Sequence, residues 1–353
     1  MKDLFWRPVS VDSIDPVSFP EVALYIKSGG NYVLYKDQER AFTESDQRRL
    51  ENSFTEFLYI RSGDLAEVNR YLEDNLTDML ERKDIDCSAK GRILYQTSIN
   101  FVMDVFESPE LAANFERCRK LIRHMMQYVT TEEHALEPLR SIVAHNFYIF
   151  AHSVQVTALN LLVHEKLFSV SPDEMIDVGI GSLLHDFGMI FISDDILEKP
   201  DALSDVEYSK VKQHPQKGYE FLKNIGLFGD VALTIVRHHH ERYNGNGYPA
   251  GLAGSDIPRS AQLSAICDVY CALTVDRPYR RASSPTEALA MMREAAQDGA
   301  FNAELFARFA EIITTMKGVS NRERVLLLSR KKTMDNVGEA IFKSPDTFCQ
   351  VSL

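Results

Sequence analysis

Ile180-Gly-Ser-Leu-Leu-His-Asp-Phe-Gly-Met189 sets an imidazole and a carboxylate at the end of an apolar run. A single histidine in a core is most often a hydrogen-bonded packing residue, so His185 alone says little. Asp186 is harder to place that way, because a buried carboxylate is costly unless it is paired or bound to a metal. A second aspartate, Asp268 in Ala265-Ile-Cys-Asp-Val-Tyr270, is also flanked by apolar residues. Others of the ten histidines stand in similar settings. His152 lies in Ala151-His-Ser-Val-Gln-Val156, His214 precedes Pro215 at a helix junction, and His238-His-His-Glu241 ends a helix. Several histidines and two aspartates at the ends of apolar helices point to one shared metal site. Imidazole with carboxylate suits iron, manganese, nickel or zinc and singles out none of them. Neighbouring residues on a helix point about 100° apart, so one of His185 and Asp186 can hold one ion while the other bridges to a second. Two ions about 3.5–4 Å apart suit phosphodiester hydrolysis, because they clamp the phosphate, activate a water and stabilise the leaving oxygen.

The chain around this stretch has 353 residues, 45% of them hydrophobic, which predicts two domains with real cores. Its net charge is −12, a poor match to polymeric nucleic acid, though a small phosphate ligand needs only a few local cations and metals. The five cysteines (Cys87, Cys118, Cys267, Cys271 and Cys349) are scattered, no basic-then-apolar signal segment opens the chain, and no run approaches the roughly 18 apolar residues of a membrane span. These features predict a protein of the reducing cytoplasm. Cys267 and Cys271 share one helix face and read as core thiols, since no second cysteine pair accompanies them to make a zinc site.

Along the chain the expected fold class is α+β: a small N-terminal α/β module followed by an all-α helical bundle. Val22-Ala-Leu-Tyr-Ile26 and Tyr32-Val-Leu-Tyr35, separated by Gly29-Gly30-Asn31, read as a hairpin. Phe57-Leu-Tyr-Ile60 reads as a third strand, with a helix over 43–53 before it. Residues 112–128 and 138–166 carry helical apolar spacing. Ser171-Pro-Asp-Glu174, Ser204-Asp-Val-Glu207 and Ser284-Pro-Thr-Glu287 each fit the capping box. The predicted domains are 1–85, a regulatory or interaction module; 86–135, a helical connector; 136–320, the metal-binding domain; and 321–353, a tail to which no role is assigned.

His185-Asp186 resembles the residue pair that names the HD superfamily of metal-dependent phosphohydrolases. His239-His-Glu-Arg-Tyr-Asn-Gly-Asn-Gly-Tyr-Pro249 resembles the signature of its HD-GYP subfamily. The similarity continues through Gly251-Leu252, Ile257-Pro258, Asp268-Val-Tyr270 and Asp276-Arg-Pro-Tyr-Arg280, and takes in His152, Lys199-Pro200 and His214-Pro215. The resemblance implies an HD-type helical bundle with metal ligands at His152, His185, Asp186, His214, His239, His240 and Asp268. His185 and Asp186 take the catalytic position, with His238 as an extra helix residue. It implies phosphate contacts at Arg277 and Arg280, whose guanidinium forks suit phosphate oxygens, although a solvated ion-paired turn is the plainer reading of those two residues alone. Tyr248 stacks on a base, meets a partner protein, or merely packs. The implied activity is hydrolysis of cyclic di-GMP, to pGpG or on to GMP, by a metal-bridging hydroxide in bacterial second-messenger signalling. Cyclic GMP-AMP is an open alternative substrate. The implied partners are diguanylate cyclases or other signalling proteins and a second copy of the chain.

The sequence departs from that family at two positions. The family places a lysine three residues past its Asp, where this chain has Met189. Lower turnover, altered substrate preference and loss of catalysis are the alternatives, and the last makes the domain a binding module for a cyclic dinucleotide or a partner. Three-metal members carry a Glu one helical turn before the first His, where this chain has Tyr148. Two divalent ions are therefore expected, an iron or manganese pair, with nickel and zinc also compatible.

Overall fold

A computed structural model describes residues 6–108, 111–132, 134–136, 138, 148–197, 199, 201–275 and 282–315. Arg277 and Arg280, the stretch 139–147 and the tail after 315 lie outside the described residues. The chain divides into two compact units, Met1–Met103 with Ala135–Tyr148, and Asp104–His134 with Ile149–Leu353.

The first unit carries four strands, β1 (Trp6–Ser10), β2 (Leu24–Ser28), β3 (Asn31–Lys36) and β4 (Phe57–Arg61). They form one antiparallel sheet in the order β1-β4-β2-β3. The β2–β3 hairpin forms where expected, and Gly29 and Gly30 take φ of +56° and +80°, the sign that a tight two-residue hairpin turn demands. The hairpin's first strand starts two residues late, at Leu24 rather than Val22, and its register shifts between Leu24, opposite Lys36, and Tyr25, opposite Leu34. The sequence reading missed β1, because Arg7 and Pro8 interrupt any alternation. β1 is an edge strand, the place where a sheet tolerates proline. Helix α1 (Glu44–Asn52) opens on Thr43 in a capping box closed by Asp46, which also binds the Arg40 guanidinium at 3.0 and 3.1 Å. Helices α2 (Leu65–Glu81) and α3 (Cys87–Glu107) follow. α2 buries Leu65, Val68, Leu72, Leu76 and Met79, and its Tyr71 hydroxyl donates to the Ser13 carbonyl at 3.0 Å.

The second unit is helical. It comprises α4 (Leu111–Thr131), α5 (Tyr148–Leu167), α6 (Pro172–Leu183), α7 (Asp194–Leu197), α8 (Asp205–Val211), α9 (His214–Ile225), α10 (Asp230–His238), α11 (Arg259–Thr274), α12 (Pro285–Gln297) and α13 (Ala303–Thr315). The helix expected over 138–166 is described only from Tyr148 onward. Residues 151–164 of α5 are buried all round, the sign of a central helix. α8 and α12 open on complete capping boxes at Ser204 and Ser284. At Ser171 only half the box forms, because the serine accepts from the Glu174 amide without a return bond.

Two glycines set the close approaches that shape the site. A Cβ on Gly181 would lie 2.8 Å from the Ala232 backbone, so α6 and α10 cross nearly in backbone contact. A Cβ on Gly188 would overlap the His214 carbonyl, which lets the turn after Asp186 press against the start of α9. Gly181→Ala is therefore expected to destabilise the protein by about 1–3 kcal/mol through overpacking. Thermal melting of the variant against wild type reads this directly.

Candidate metal centre

The seven sequence-predicted ligands come from five places in the chain and meet in the second unit. His152 lies on α5 and Asp268 on α11, both within buried helix. His214 is the first residue of α9, and His239 and His240 follow the last turn of α10. His185 and Asp186 lie in the turn after α6, ahead of a short 3-10 segment, Phe187–Phe191. The helical 100° offset expected for that pair therefore does not apply. Asp186 has φ −91° and ψ 6°, a sparsely populated backbone region common at functional sites, and the turn itself separates the two side chains.

The ligand atoms fall into two groups, each with all members within 4.8 Å of one another. One holds Asp186, His214, His239 and His240; the other holds His152, His185 and Asp268. Asp186 faces both. Its Oδ1 is 3.2 Å from His214 Nε2 and 3.8 Å from His239 Nε2, while its Oδ2 is 3.1 Å from His185 Nε2. Asp268 Oδ1 is 2.9 Å from His152 Nε2, and its Oδ2 is 4.0 Å from His240 Nδ1. All seven residues are buried.

The proton positions follow from the outward-facing nitrogens. His185 Nδ1 lies 2.7 Å from the Ser182 carbonyl, His214 Nδ1 2.9 Å from that of Val211, and His239 Nδ1 3.0 Å from that of Val236. A carbonyl only accepts, so each Nδ1 donates and each Nε2 presents a lone pair inward. His214 and His239 then bring two Nε2 atoms to 3.3 Å with no hydrogen to share. His152 Nδ1, His185 Nε2, His240 Nδ1 and Asp268 Oδ2 are buried and make no hydrogen bond. Converging lone pairs with orphaned buried acceptors are what a divalent cation satisfies, and ligating histidines characteristically donate their other nitrogen to a carbonyl or carboxylate. The donor set fits metal ions on these grounds.

The electrostatics agree. Burial pushes His239 down to about 3, aided by the neighbouring His185 and His214, so it is neutral and ready to ligate. Burial works against charge on His185, but the Asp186 carboxylate outweighs it and raises that histidine to about 9. Burial also opposes charge on Asp186, yet His185 and His214 hold it well below the usual carboxylate range. Without a cation the site compensates its carboxylates with a proton, and protons and metal compete for the same lone pairs.

Several other expected residues find their places. His238 stands apart from both groups and faces Glu241 at 3.5 Å. Cys267 and Cys271 are buried core thiols, pushed well above the ordinary range by burial. Tyr248, expected among the substrate contacts, is 8% exposed, and its ring centroid lies 4.7 Å from that of His240; in the structure it packs. Lys199 pairs with Glu207 at 2.7 Å. Met189 packs among Ile192, Ile196 and Val211, in an apolar cluster. Glu241 makes a loop contact that the sequence reading missed. Its carboxylate accepts from the Ala250 and Leu252 amides at 2.8 and 3.0 Å and so folds the Gly-Tyr-Pro loop back over His240. Its place in the motif marked Glu241, but nothing local showed which amides it would take.

A family model described as the HD domain matches residues 138–305. Those residues thus resemble an HD domain. A cyclic di-GMP phosphodiesterase of Pseudomonas aeruginosa is 35% identical over 194 residues, which is 55% of this chain and 46% of that protein. A cyclic di-GMP phosphodiesterase response regulator of Xanthomonas campestris is 42% identical over 132 residues, 37% of this chain and 35% of that one. A 3'3'-cGAMP-specific phosphodiesterase of Vibrio cholerae is 33% identical over 147 residues, 42% and 32% of the two chains. This chain thus spans less than half the length of these curated relatives. The solved structure of an HDG"Y"P protein from Bdellovibrio bacteriovorus matches with a TM-score of 0.65 at 20% identity, over 88% of this chain and 99% of that one, a likeness of fold. Among the described residues, no helix is long and apolar enough to cross a membrane.

Glu241→Gln would replace one acceptor oxygen by an NH2 group facing a backbone N–H. The expected cost is about 1–3 kcal/mol, the penalty of an unsatisfied buried donor. It should appear as a lower melting temperature together with faster amide hydrogen exchange over 245–252.

Proposed function

We propose that this protein is a metal-dependent phosphodiesterase acting on cyclic di-GMP or a related cyclic dinucleotide. The observation that carries the reading is the position of Asp186, one carboxylate oxygen toward each of two lone-pair clusters, within an HD domain whose relatives are named for that activity. His152, His185 and Asp268 would hold one divalent ion, His214, His239 and His240 a second, and Asp186 would bridge them. An iron or manganese pair is the first expectation. Such a pair supplies the positive charge and the activated water that a phosphodiester needs. The protein's own part is to hold the ligands rigid. The backbone carbonyls of Ser182, Val211 and Val236 orient the rings through their Nδ1 atoms, and the Glu241-clamped loop covers His240. The products would be linear pGpG or GMP. The acidic chain and its free described cysteines accord with a cytoplasmic site of action. The Met1–Met103 unit would regulate the enzyme or pair it with a second copy or with a signalling protein such as a diguanylate cyclase.

Met189 favours a second reading, a binding module of low turnover, because the turn after Asp186 puts an apolar side chain into the core rather than a cation at the site. The two are separated by assaying anaerobically purified protein with cyclic di-GMP and with cyclic GMP-AMP after loading with iron, manganese or nickel. Linear product is expected. Binding of either nucleotide without product would select the second reading, and neither binding nor product would end both.

Loss of an outer partner of a metal ligand commonly costs about 10–100-fold in metal affinity or activity. Asp186→Ala, which removes a direct ligand to both clusters, is expected to cost at least the upper end of that range in turnover. Metal analysis of the same variant should show fewer ions per chain than wild type.

A further inference from the structure

A cyclic dinucleotide carries two phosphodiester anions, and this chain offers them a poor average field, with 51 acidic residues against 39 basic ones. Anion binding here depends on local positive charge beside the metal centre. The turn after Asp186 provides none at Met189, whose side chain packs on Val211. The next residue after Val211 is Lys212, which caps the end of α8 two residues before His214. Lys212 is half-buried, and its Nζ lies 4.6 Å from the Tyr208 ring centroid and 5.8 Å from that of Tyr248. Tyr208 and Tyr248 pack together, and Tyr248 rests on His240. An ammonium over aromatic faces is held electrostatically, more firmly where water is partly excluded. A lysine head is a mobile point charge with three donors, suited to a phosphate oxygen that arrives with the substrate.

The geometry points to Lys212 as a substrate-phosphate cation of this centre, carried on the Tyr208–Tyr248 platform beside His240. This assignment rests on the phosphodiesterase reading for the identity of the phosphate's parent molecule. It also gives the apolar Met189 a counterpart, a positive charge delivered from α8 rather than from the turn after Asp186. Lys212 has a binding role here, while Tyr208 and Tyr248 are positioning residues.

The test uses the full metal-loaded chain and two probes, cyclic di-GMP turnover and inorganic phosphate binding by titration calorimetry. Lys212→Met keeps the apolar stem and removes the charge. It is expected to raise KM for cyclic di-GMP about tenfold, the effect of losing roughly one charge-assisted contact. The kcat, the metal content and the melting temperature should stay near wild type, and phosphate affinity should fall by a similar factor. Lys212→Arg should restore most of both. A Lys212→Met protein with wild-type KM and phosphate affinity would overturn the assignment. So would a loss that tracks lowered melting temperature and metal content and that arginine does not rescue, because Lys212 would then only brace the tyrosines. If phosphate binding depends on Lys212 but neither cyclic dinucleotide is cleaved, the assignment stands and the phosphodiesterase reading fails. If cyclic di-GMP is cleaved with no dependence on Lys212, the reverse holds.

Discussion

Five imidazoles and two carboxylates converge in one buried region, and among the described residues His152 Nδ1, His185 Nε2, His240 Nδ1 and Asp268 Oδ2 find no hydrogen-bond partner. Burying such groups together is unfavourable unless a cation compensates them. This constraint explains much of the second unit. Three of the imidazoles donate their outer Nδ1 proton to backbone carbonyls at 2.7–3.0 Å, which turns their Nε2 atoms inward toward the other ligands. Asp186 and Asp268 could hardly remain ionised at full burial without neighbours that favour the charged form, and the histidines are those neighbours.

The backbone arranges itself to make this convergence possible. α5 and α11 are buried helices and supply His152 and Asp268 from positions surrounded by packing. The other five ligands sit where helices start or stop. At such places the chain changes direction and neighbouring residues diverge more than helical rotation allows. That requires close passage of one segment over another. Gly181 under α10 and Gly188 under the His214 carbonyl provide the space that a side chain would fill. Glu241 does the same work by polar means, since its two amide contacts close the loop that carries Tyr248 onto His240. Packing glycines, a clamped loop and oriented rings together form a preorganised ligand set.

The first unit is built on ordinary principles of sheet and cap. A tight glycine hairpin, a capping box at Thr43 and an amphipathic α2 give it a core of its own. Among the described residues, neither of the candidate metal-ligand groups lies in it.

Much of this was legible in the sequence, for a definite reason. A carboxylate embedded in apolar residues reports its own burial cost, so Asp186 and Asp268 stood out without any neighbour being known. Proline and serine at helix starts, and the Gly-Gly turn, act through local backbone chemistry, so α8, α12 and the β2–β3 hairpin were readable as well. β1 was not readable, because an edge strand carrying Arg and Pro has no alternation and is a strand only through its pairing with β4. The turn at His185–Asp186, the two-sided placement of Asp186, the Glu241 clamp and the burial of Tyr248 depend on segments far apart in sequence. So does the packing of Met189 against Val211. The sequence by itself determined which side chains could bind metal. The tertiary structure decided how they divide into two groups, with Asp186, the bridging residue the family resemblance implied, facing both, because distances between non-neighbouring segments arise only from packing.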